Sequence, residues 1–246
     1  MATVPKFFNS PQEKKEFYPS KIWKILLLFI VIFLVLIILF FFSPLFKIKN
    51  IEISSTNGEI NSFFSNFKGK NLFLVDTSKT KSDIKNKYPE ILDVQISKGI
   101  PNVLRVKVTE RQLKMIWVSG GKKYYVDENG LVFIEGDTQI SNLPSVIDNK
   151  NLPVEILKPV VISSFVNFIT EIPGKLTGSD LIVDHYEVNE TTFQVDAVTK
   201  NNLKIIFDTT RPLDAQIAAA QKVYTEHKTE ITKYLDVRVE GKVYYQ

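Results

Sequence analysis

The side chains in this sequence best suited to catalytic chemistry are two histidines, His185 and His227. A histidine beside a carboxylate can act as a general base, and Asp184 directly precedes His185. His185 belongs to the predicted strand "LIVDHYEV", in which neighbouring side chains face opposite sides of a sheet. We therefore expect no Asp184–His185 dyad, and we expect His227 at a surface or boundary position of a predicted helix.

Sequence motifs of hydrolytic or nucleotide chemistry are absent. There is no H-E-x-x-H, no G-x-S-x-G and no P-loop, and no cysteine is available for a disulfide or a thiolate metal site. The carboxylates are scattered among lysines, as on a solvated surface. We predict that the protein is not an enzyme and that it holds no cofactor and no metal. One alternative stays open, in which two carboxylates meet in the folded chain and cleave a glycan.

The net charge of +4 is concentrated at the start of the chain. Residues 1–24 contain five lysines and two glutamates, a balance of +3, so the other 222 residues contribute only +1. A domain that binds nucleic acid carries a larger basic excess on one face. We therefore predict no nucleic-acid partner.

A long apolar run points to a membrane. Ile25 to Phe42 reads "ILLLFIVIFLVLIILFFF", which as a helix is roughly 27 Å long and close to the hydrocarbon thickness of a bilayer. A cleaved signal peptide has a shorter apolar run and small residues at its cleavage site, and "FFSPLFKIKN" does not fit that pattern. We predict an uncleaved transmembrane helix over residues 22–45. Basic flanking charge places the disordered tail, residues 1–21, in the cytoplasm and the bulk of the chain outside, a single-pass type II arrangement.

Residues 46–112 alternate between strand and helix patterns. "FKIKNIEIS" predicts a strand, two short amphipathic segments follow, and "ILDVQISK" and "NVLRVKVTE" predict two more strands joined by a "GIP" turn. The order strand, helix, helix, strand, strand indicates a small α+β domain.

This region resembles a POTRA domain and, with the preceding anchor, the FtsQ/DivIB family of bacterial cell division proteins. "FKIKNIEI", "GKNLFLVD", "YPEILDVQISKGIPNVLRVKVTER" and "YYVDENGLVF" carry the resemblance. The family signature includes Pro101 in the turn and a charged pair, Glu110 and Arg111, that closes the last strand.

Residues 113–246 resemble the C-terminal β-domain of the same family. The pattern predicts several strands, one helix with Phe165, Phe168 and Ile172 on its apolar face that starts near Leu157, and a second helix before "YLDVRVEGKVYYQ". The predicted fold class is α+β: a single N-terminal transmembrane helix, a POTRA domain of the order β-α-α-β-β, and a mainly antiparallel β-domain with packed helices.

The last residues of the sequence predict a β-strand. Val237, Val239, Val243 and Tyr245 fall on odd positions, while charged residues occupy most even ones. The strand either finishes the sheet internally or presents a free edge to which a partner adds a strand, the mode called β-augmentation. Gly241 either keeps the strand continuous or breaks it into a hairpin or bulge.

The resemblance implies partners for this edge. In the family the C-terminal face of the β-domain recruits an FtsB/DivIC-like protein, together with an FtsL-like protein, and the POTRA domain implies a second docking site for other division proteins. Five residues are expected at or near the first surface, namely Arg238, Val239, Glu240, Gly241 and Tyr244. Arg238 is expected to contact an acidic residue of the partner.

The predicted function is that of a non-enzymatic scaffold of the bacterial divisome in the cell membrane, which couples septum assembly to septal peptidoglycan synthesis. Two alternatives stay open. One is a POTRA-type module of a secretion or envelope-assembly machine, although repeated POTRA units and a membrane barrel are not evident in the sequence. The other is a membrane-anchored cell-wall hydrolase.

Overall fold

The computed structural model describes residues 21–55, 57–137 and 143–246. The prediction for the N-terminal tail falls outside these residues, apart from Lys21. The first element is helix α1, Lys21–Phe42, which is the one described helix long and apolar enough to cross a membrane. None of its side chains is buried by the rest of the chain. The predicted apolar helix at the N-terminus is therefore confirmed, and its exposed surface suits contact with lipid.

A small sheet follows α1, with two helices between its first and second strands. The elements are β1 (Asn50–Ser54), α2 (Gly58–Ser65), α3 (Thr77–Lys87), β2 (Ile91–Gly99) and β3 (Val103–Glu110). The three strands lie in the order β1-β3-β2. Each helix buries one face, through Ile60 and Phe64 in α2 and through Ile84 in α3. The predicted β-α-α-β-β order is confirmed.

A nine-stranded sheet forms the rest of the chain. Its strands are β4 (Met115–Ser119), β5 (Lys122–Val126), β6 (Val132–Glu135), β7 (Ser145–Asp148), β8 (Val183–Val188), β9 (Gln194–Thr199), β10 (Lys204–Asp208), β11 (Tyr234–Asp236) and β12 (Tyr244–Tyr245). Helices α4 (Ser163–Lys175) and α5 (Leu213–His227) interrupt the series. The spatial order is β12-β11-β10-β9-β8-β7-β4-β5-β6. Most neighbours are antiparallel, as predicted.

Two of the three parallel pairs among the described strands of the large sheet explain where its helices lie in the sequence. β7 pairs with β8, and β10 with β11, in parallel, and such pairs need a long crossover connection. Helix α4 forms the first crossover and α5 the second. Their apolar faces join the strands in one core, in which Phe165 and Ile169 of α4 and Ile217 of α5 lie with Tyr186 and Phe207 of the sheet. Burial of this surface is the main favourable contribution to folding.

Two predictions about this region are wrong. Helix α4 begins at Ser163, not near Leu157, because Leu157 has a positive φ of 65° and its segment hydrogen-bonds to β6 instead. Strand β7 was not predicted at all, since four residues carry too short a pattern to be recognised.

Candidate functional site

The last strand, β12, lies at one edge of the nine-stranded sheet. It pairs antiparallel with β11, with Leu235 opposite Tyr245 and Asp236 opposite Tyr244. Tyr234 and Gln246 exchange both backbone hydrogen bonds, at 3.3 and 3.2 Å. Hydrogen-bonded and non-hydrogen-bonded pairs alternate in an antiparallel ladder, so the N–H and C=O of Tyr245 point away from β11. No described strand pairs with that outer side.

The opposite edge of the sheet is contacted at its start. The backbone N–H of Leu157 donates to the carbonyl of Val132 in β6 at 2.7 Å, and the N–H of Val132 donates to the carbonyl of Lys158 at 3.1 Å. The segment around residues 155–160 thus contacts β6 at Val132, the first residue of that strand. At the β12 edge no described segment pairs with the outer side of Tyr245, so another strand could add there.

The terminal segment is a hairpin rather than one continuous strand. Gly241 has a positive φ of 69°, and Lys242 N–H donates to the carbonyl of Val239 at 3.2 Å. This turn separates β11 from β12. The alternation of buried and exposed side chains therefore does not continue from one strand into the other. Val237 is 2% exposed, whereas Val239 is 46% exposed although both fall on odd positions. The hairpin alternative is the correct one, and β11 finishes the sheet internally while β12 forms its edge.

Arg238 is already engaged within the chain. Its Nε and Nη2 donate to the two carboxylate oxygens of Asp236 at 2.9 and 2.6 Å, and its Nη1 donates to Oε1 of Gln194 at 2.5 Å. Burial would raise the pKa of Asp236, but the hydrogen bonds and charge of Arg238 outweigh it and hold that pKa below its ordinary value. The side chain of Arg238 is 41% exposed, so part of it still faces solvent.

A second arginine, Arg211, joins the turn to the segment before α5. Its Nη1 donates to the carbonyl oxygen of Arg238, and its Nη2 lies 3.7 Å from Oε2 of Glu240. The side chain of Glu240 is 92% exposed, so this ion pair is loose. Sequence reasoning did not assign Arg211 or Asp236 to the site. Arg211 lies before α5, outside the terminal motif, and Asp236 lies within that motif but was not recognised as the partner of Arg238.

The predicted surface residues therefore surround the open edge in different states. Arg238 is ion-paired, Glu240 is exposed, and Gly241 forms the turn. Val239 and Tyr244 expose 46% and 50% of their surfaces. Tyr245 stacks on His227 of α5, with 5.2 Å between ring centroids, and its hydroxyl donates to Glu230 at 3.3 Å. His227 is partly exposed, which agrees with the expected surface or boundary position, and its contact with the edge strand was not foreseen.

The three residues expected as a family signature, Pro101, Glu110 and Arg111, lie in or next to strands of the small domain. Pro101 follows a cis peptide bond in the turn between β2 and β3, and Glu110 ends β3. Arg111 donates from Nη1 to Oδ2 of Asp127 at 2.6 Å, and from Nε to the carbonyl of Pro89 at 3.0 Å. The side chains of Arg111 and Asp127 are only 10% and 3% exposed. Asp127, in the turn after β5, is a partner that the sequence alone did not reveal.

The expectation about His185 is wrong. Its Nδ1 lies 2.9 Å from Oδ2 of Asp184, and its Nε2 lies 3.6 Å from Oε1 of Glu187. A β-bulge between Val183 and His185 shifts the register of β8 against β9, which lets adjacent side chains meet. Glu187 also pairs with Lys204 at 2.6 Å. These four side chains form a network of polar contacts near the surface.

Metal and glycan chemistry find little support in the described parts of the chain. No group of three or more His, Asp or Glu side chains there could hold a metal ion. A polar cleft of about 380 Å³ lies between the loop after α4 and helix α5. Asp180 is the one carboxylate that lines it, and Lys228 pairs with that carboxylate. Paired carboxylates of the kind that glycosidases use are not assembled in this cleft.

An apolar helix of membrane-spanning length, a β-α-α-β-β domain and a mixed sheet with an open edge are the elements expected of a membrane-anchored POTRA-type protein. Residues 46–111 match the family model described as POTRA domain, FtsQ-type. A relative named Cell division protein FtsQ, from Streptomyces venezuelae, is 28% identical over 116 residues. Both findings support the FtsQ/DivIB family, and the resemblance noted in the sequence is confirmed. The aligned part covers 45% of this chain and 43% of the relative, so the chain spans less than half of that relative.

Proposed function

We propose that this protein is a non-enzymatic scaffold of the bacterial divisome, which recruits FtsB/DivIC-like and FtsL-like partners and so couples septum assembly to septal peptidoglycan synthesis. The name of the relative and the FtsQ-type domain support a role in cell division. The observation that carries the recruiting role is the open edge of β12. A scaffold needs a surface that a partner can complete, and an unpaired strand edge is such a surface.

The partner would add as a tenth strand beside β12. The outward N–H and C=O of Tyr245 would form the central main-chain hydrogen bonds. At the hairpin turn, Glu240 and the exposed part of Arg238 would make electrostatic contacts with charged residues of the partner. Because the guanidinium of Arg238 already binds Asp236, an acidic partner residue would share it rather than capture it freely. The exposed rings of Tyr244 and Tyr245 would add apolar contact area at little cost in side-chain entropy.

The proposed role also includes a membrane orientation and a second docking site. With the basic tail in the cytoplasm, helix α1 would hold both folded domains on the outer side of the cell membrane. The small domain would provide a second docking site, for other division proteins. The proposal predicts that the two sites can be impaired separately.

The test is a pull-down of purified FtsB/DivIC-like and FtsL-like ectodomains by the full chain in detergent, with the variant Tyr245→Pro. Proline removes the outward N–H and is tolerated at sheet edges. Tyr245→Val is the matched control, because it removes the same ring and keeps the N–H. We expect Tyr245→Pro to weaken binding at least about tenfold and more than Tyr245→Val does. Circular dichroism checks that both variants are folded.

The outcomes distinguish failure of the recruiting role from failure of the β12 edge as its binding site. If the native chain binds none of these partners, recruitment is refuted and the secretion and hydrolase alternatives regain weight. If the native chain and both variants bind equally well, the scaffold role stands and the edge of β12 is not the site. Equal loss in the two variants would assign the contact to the tyrosine ring and not to an added strand.

A further inference from the structure

Three large apolar side chains next to the end of helix α1 lie exposed to solvent. Leu45, Leu74 and Ile100 expose 55%, 69% and 70% of their surfaces. They come from three separate segments: the turn after α1, the short 3-10 turn Leu72–Leu74, and the loop between β2 and β3. Exposed apolar residues that come together mark a site for a membrane or a partner more often than single ones do.

Direct contacts tie these segments to the helix. The rings of Phe40 in α1, Phe46 and Phe73 form a mutual cluster, with centroid separations of 4.4 to 5.1 Å. The side-chain amide of Asn71 donates to the carbonyl oxygen of Phe41. The loop with Ile100 joins the same end, because the carbonyl of Asn102 accepts from Lys49 N–H at 3.0 Å. Leu45 and Leu74 therefore lie where α1 would leave the bilayer, and Ile100 lies in a loop bonded to the segment that follows.

A groove of about 370 Å³ opens on the flank of this region. Ile37, Ile38 and Phe41 of α1 line it together with Leu74, and Lys47 and Asn71 are the polar side chains nearest to the small domain among the lining residues. No carboxylate is among the residues that line it. The wall contributed by α1 belongs to a helix long and apolar enough to span a membrane, so a bilayer lipid is the immediate neighbour of the groove.

The charge around the groove is basic. Lys47 lines it, and the ammonium group of Lys98 donates to the carbonyl of Phe73 at 3.1 Å, which fixes a second positive charge beside Leu74. Lys49 follows two residues after Lys47. Lysines close to a membrane surface attract anionic headgroups, while the ammonium of a zwitterionic headgroup gains nothing from them.

We propose that the groove holds one anionic phospholipid of the surrounding bilayer. Its acyl chain lies against Ile37, Ile38 and Phe41, and its headgroup phosphate lies at Lys47 and Asn71. Leu74, Leu45 and Ile100 insert at the membrane–water interface around it. The membrane-proximal end of the small domain is thus a lipid-binding surface and not only a linker to the anchor.

The absence of native cysteine allows a direct test with the full chain. Leu74→Cys, labelled with an environment-sensitive fluorophore, is reconstituted in bilayer nanodiscs. We expect blue-shifted emission, quenching by lipid-borne nitroxide and protection from aqueous acrylamide. Leu152→Cys is the control, since Leu152 is 60% exposed and lies in the other sheet region between β7 and α4. The label of this control is expected to be open to acrylamide. Membrane insertion is overturned if acrylamide reaches the label of the Leu74→Cys variant as readily as that of the control.

The lipid preference is tested with the same label in neutral detergent. Dioctanoyl phosphatidylglycerol, dioctanoyl phosphatidylcholine and inorganic phosphate are titrated separately. We expect dioctanoyl phosphatidylglycerol to bind most tightly and inorganic phosphate not to compete with it. Lys47→Gln is expected to weaken the binding of dioctanoyl phosphatidylglycerol about fivefold. Lys200→Gln, which removes an equal charge from the β9–β10 turn, is expected to have no effect. Equal affinity for both lipids, equal loss in the two lysine variants, or competition by phosphate alone contradicts the proposal.

Discussion

The ion pair between Arg111 and Asp127 predicts a large loss of stability when the arginine is removed. Arg111→Gln leaves the carboxylate of Asp127, 3% exposed, without its 2.6 Å partner, and removes the hydrogen bond to Pro89. Breaking a buried pair by deleting one partner typically costs about 3–5 kcal/mol. In a chain of this size that lowers the melting temperature by roughly 6–20 °C. The backbone bond from Arg111 N–H to the Glu90 carbonyl is expected to remain.

The measurement uses a tryptophan already in place. The sequence has two tryptophans, and Trp23 lies in α1, so a Trp23→Phe background leaves Trp117 as the reporter. Trp117 is 4% exposed and lies edge-on to Phe165, with 6.3 Å between ring centroids. Its fluorescence should therefore change sharply on unfolding. Urea and thermal titrations of the chain in detergent give the free energy of unfolding for each variant.

A matched control separates burial from charge. Arg105 pairs with Glu52 at 2.9 Å, but both side chains are more than half exposed, so Arg105→Gln should cost less than about 1 kcal/mol. In a double-mutant cycle, Asp127→Asn combined with Arg111→Gln should cost clearly less than the sum of the single changes. The reasoning is refuted if Arg111→Gln costs no more than Arg105→Gln, or if the two changes are additive.

Two other predictions concern pH and backbone space. Because the folded-state pKa of Asp236 is lowered, its stabilising effect is complete above about pH 4 and is lost as pH falls through the folded-state value. The stability difference between wild type and Asp236→Asn should therefore shrink on acidification, and a constant difference would contradict this. Gly130 has φ +79°, and a Cβ there would lie 2.0 Å from the Val161 carbonyl oxygen, so Gly130→Ala should cost about 3 kcal/mol or more. Gly178→Ala, with φ +86° and open space, should cost only about 1–2 kcal/mol, and equal melting temperatures would disprove the clash.

The fold was predictable where the hydrophobic period ran long enough to be unambiguous. The eighteen apolar residues of α1 and the alternation in β2 and β3 each point to one structure. The order of the elements then restricts the topology of the small domain. Strand β7 and the start of α4 escaped prediction for the opposite reason. Four residues carry no period, and a positive φ at Leu157 cannot be read from a leucine, which rarely adopts it.

The pairing of Asp127 with Arg111 could not be predicted for a different reason. Asp127 lies in a "DENG" turn, whose sequence explains its hydrogen bonds to the N–H groups of Asn129 and Leu131 but not its pairing with Arg111. A turn signal is local, whereas the ion pair depends on which residues the tertiary fold brings together. The same limit applies to Asp184 and His185, because a single bulge decides whether neighbouring side chains diverge or touch.

In the terminal segment a single residue, Gly241, determines which structure the apolar–polar alternation forms. Its alternation is the same whether the strand continues or folds back, and only the positive φ of Gly241 decides between the two. Once the chain turns there, Val237 enters the core and Val239 does not, and the ladder leaves the Tyr245 N–H on the outer side. The ion pair of Arg238 with Asp236, a residue of β11, then stabilises the hairpin. A partner strand would meet an edge whose position is already fixed, so less ordering entropy would oppose its binding.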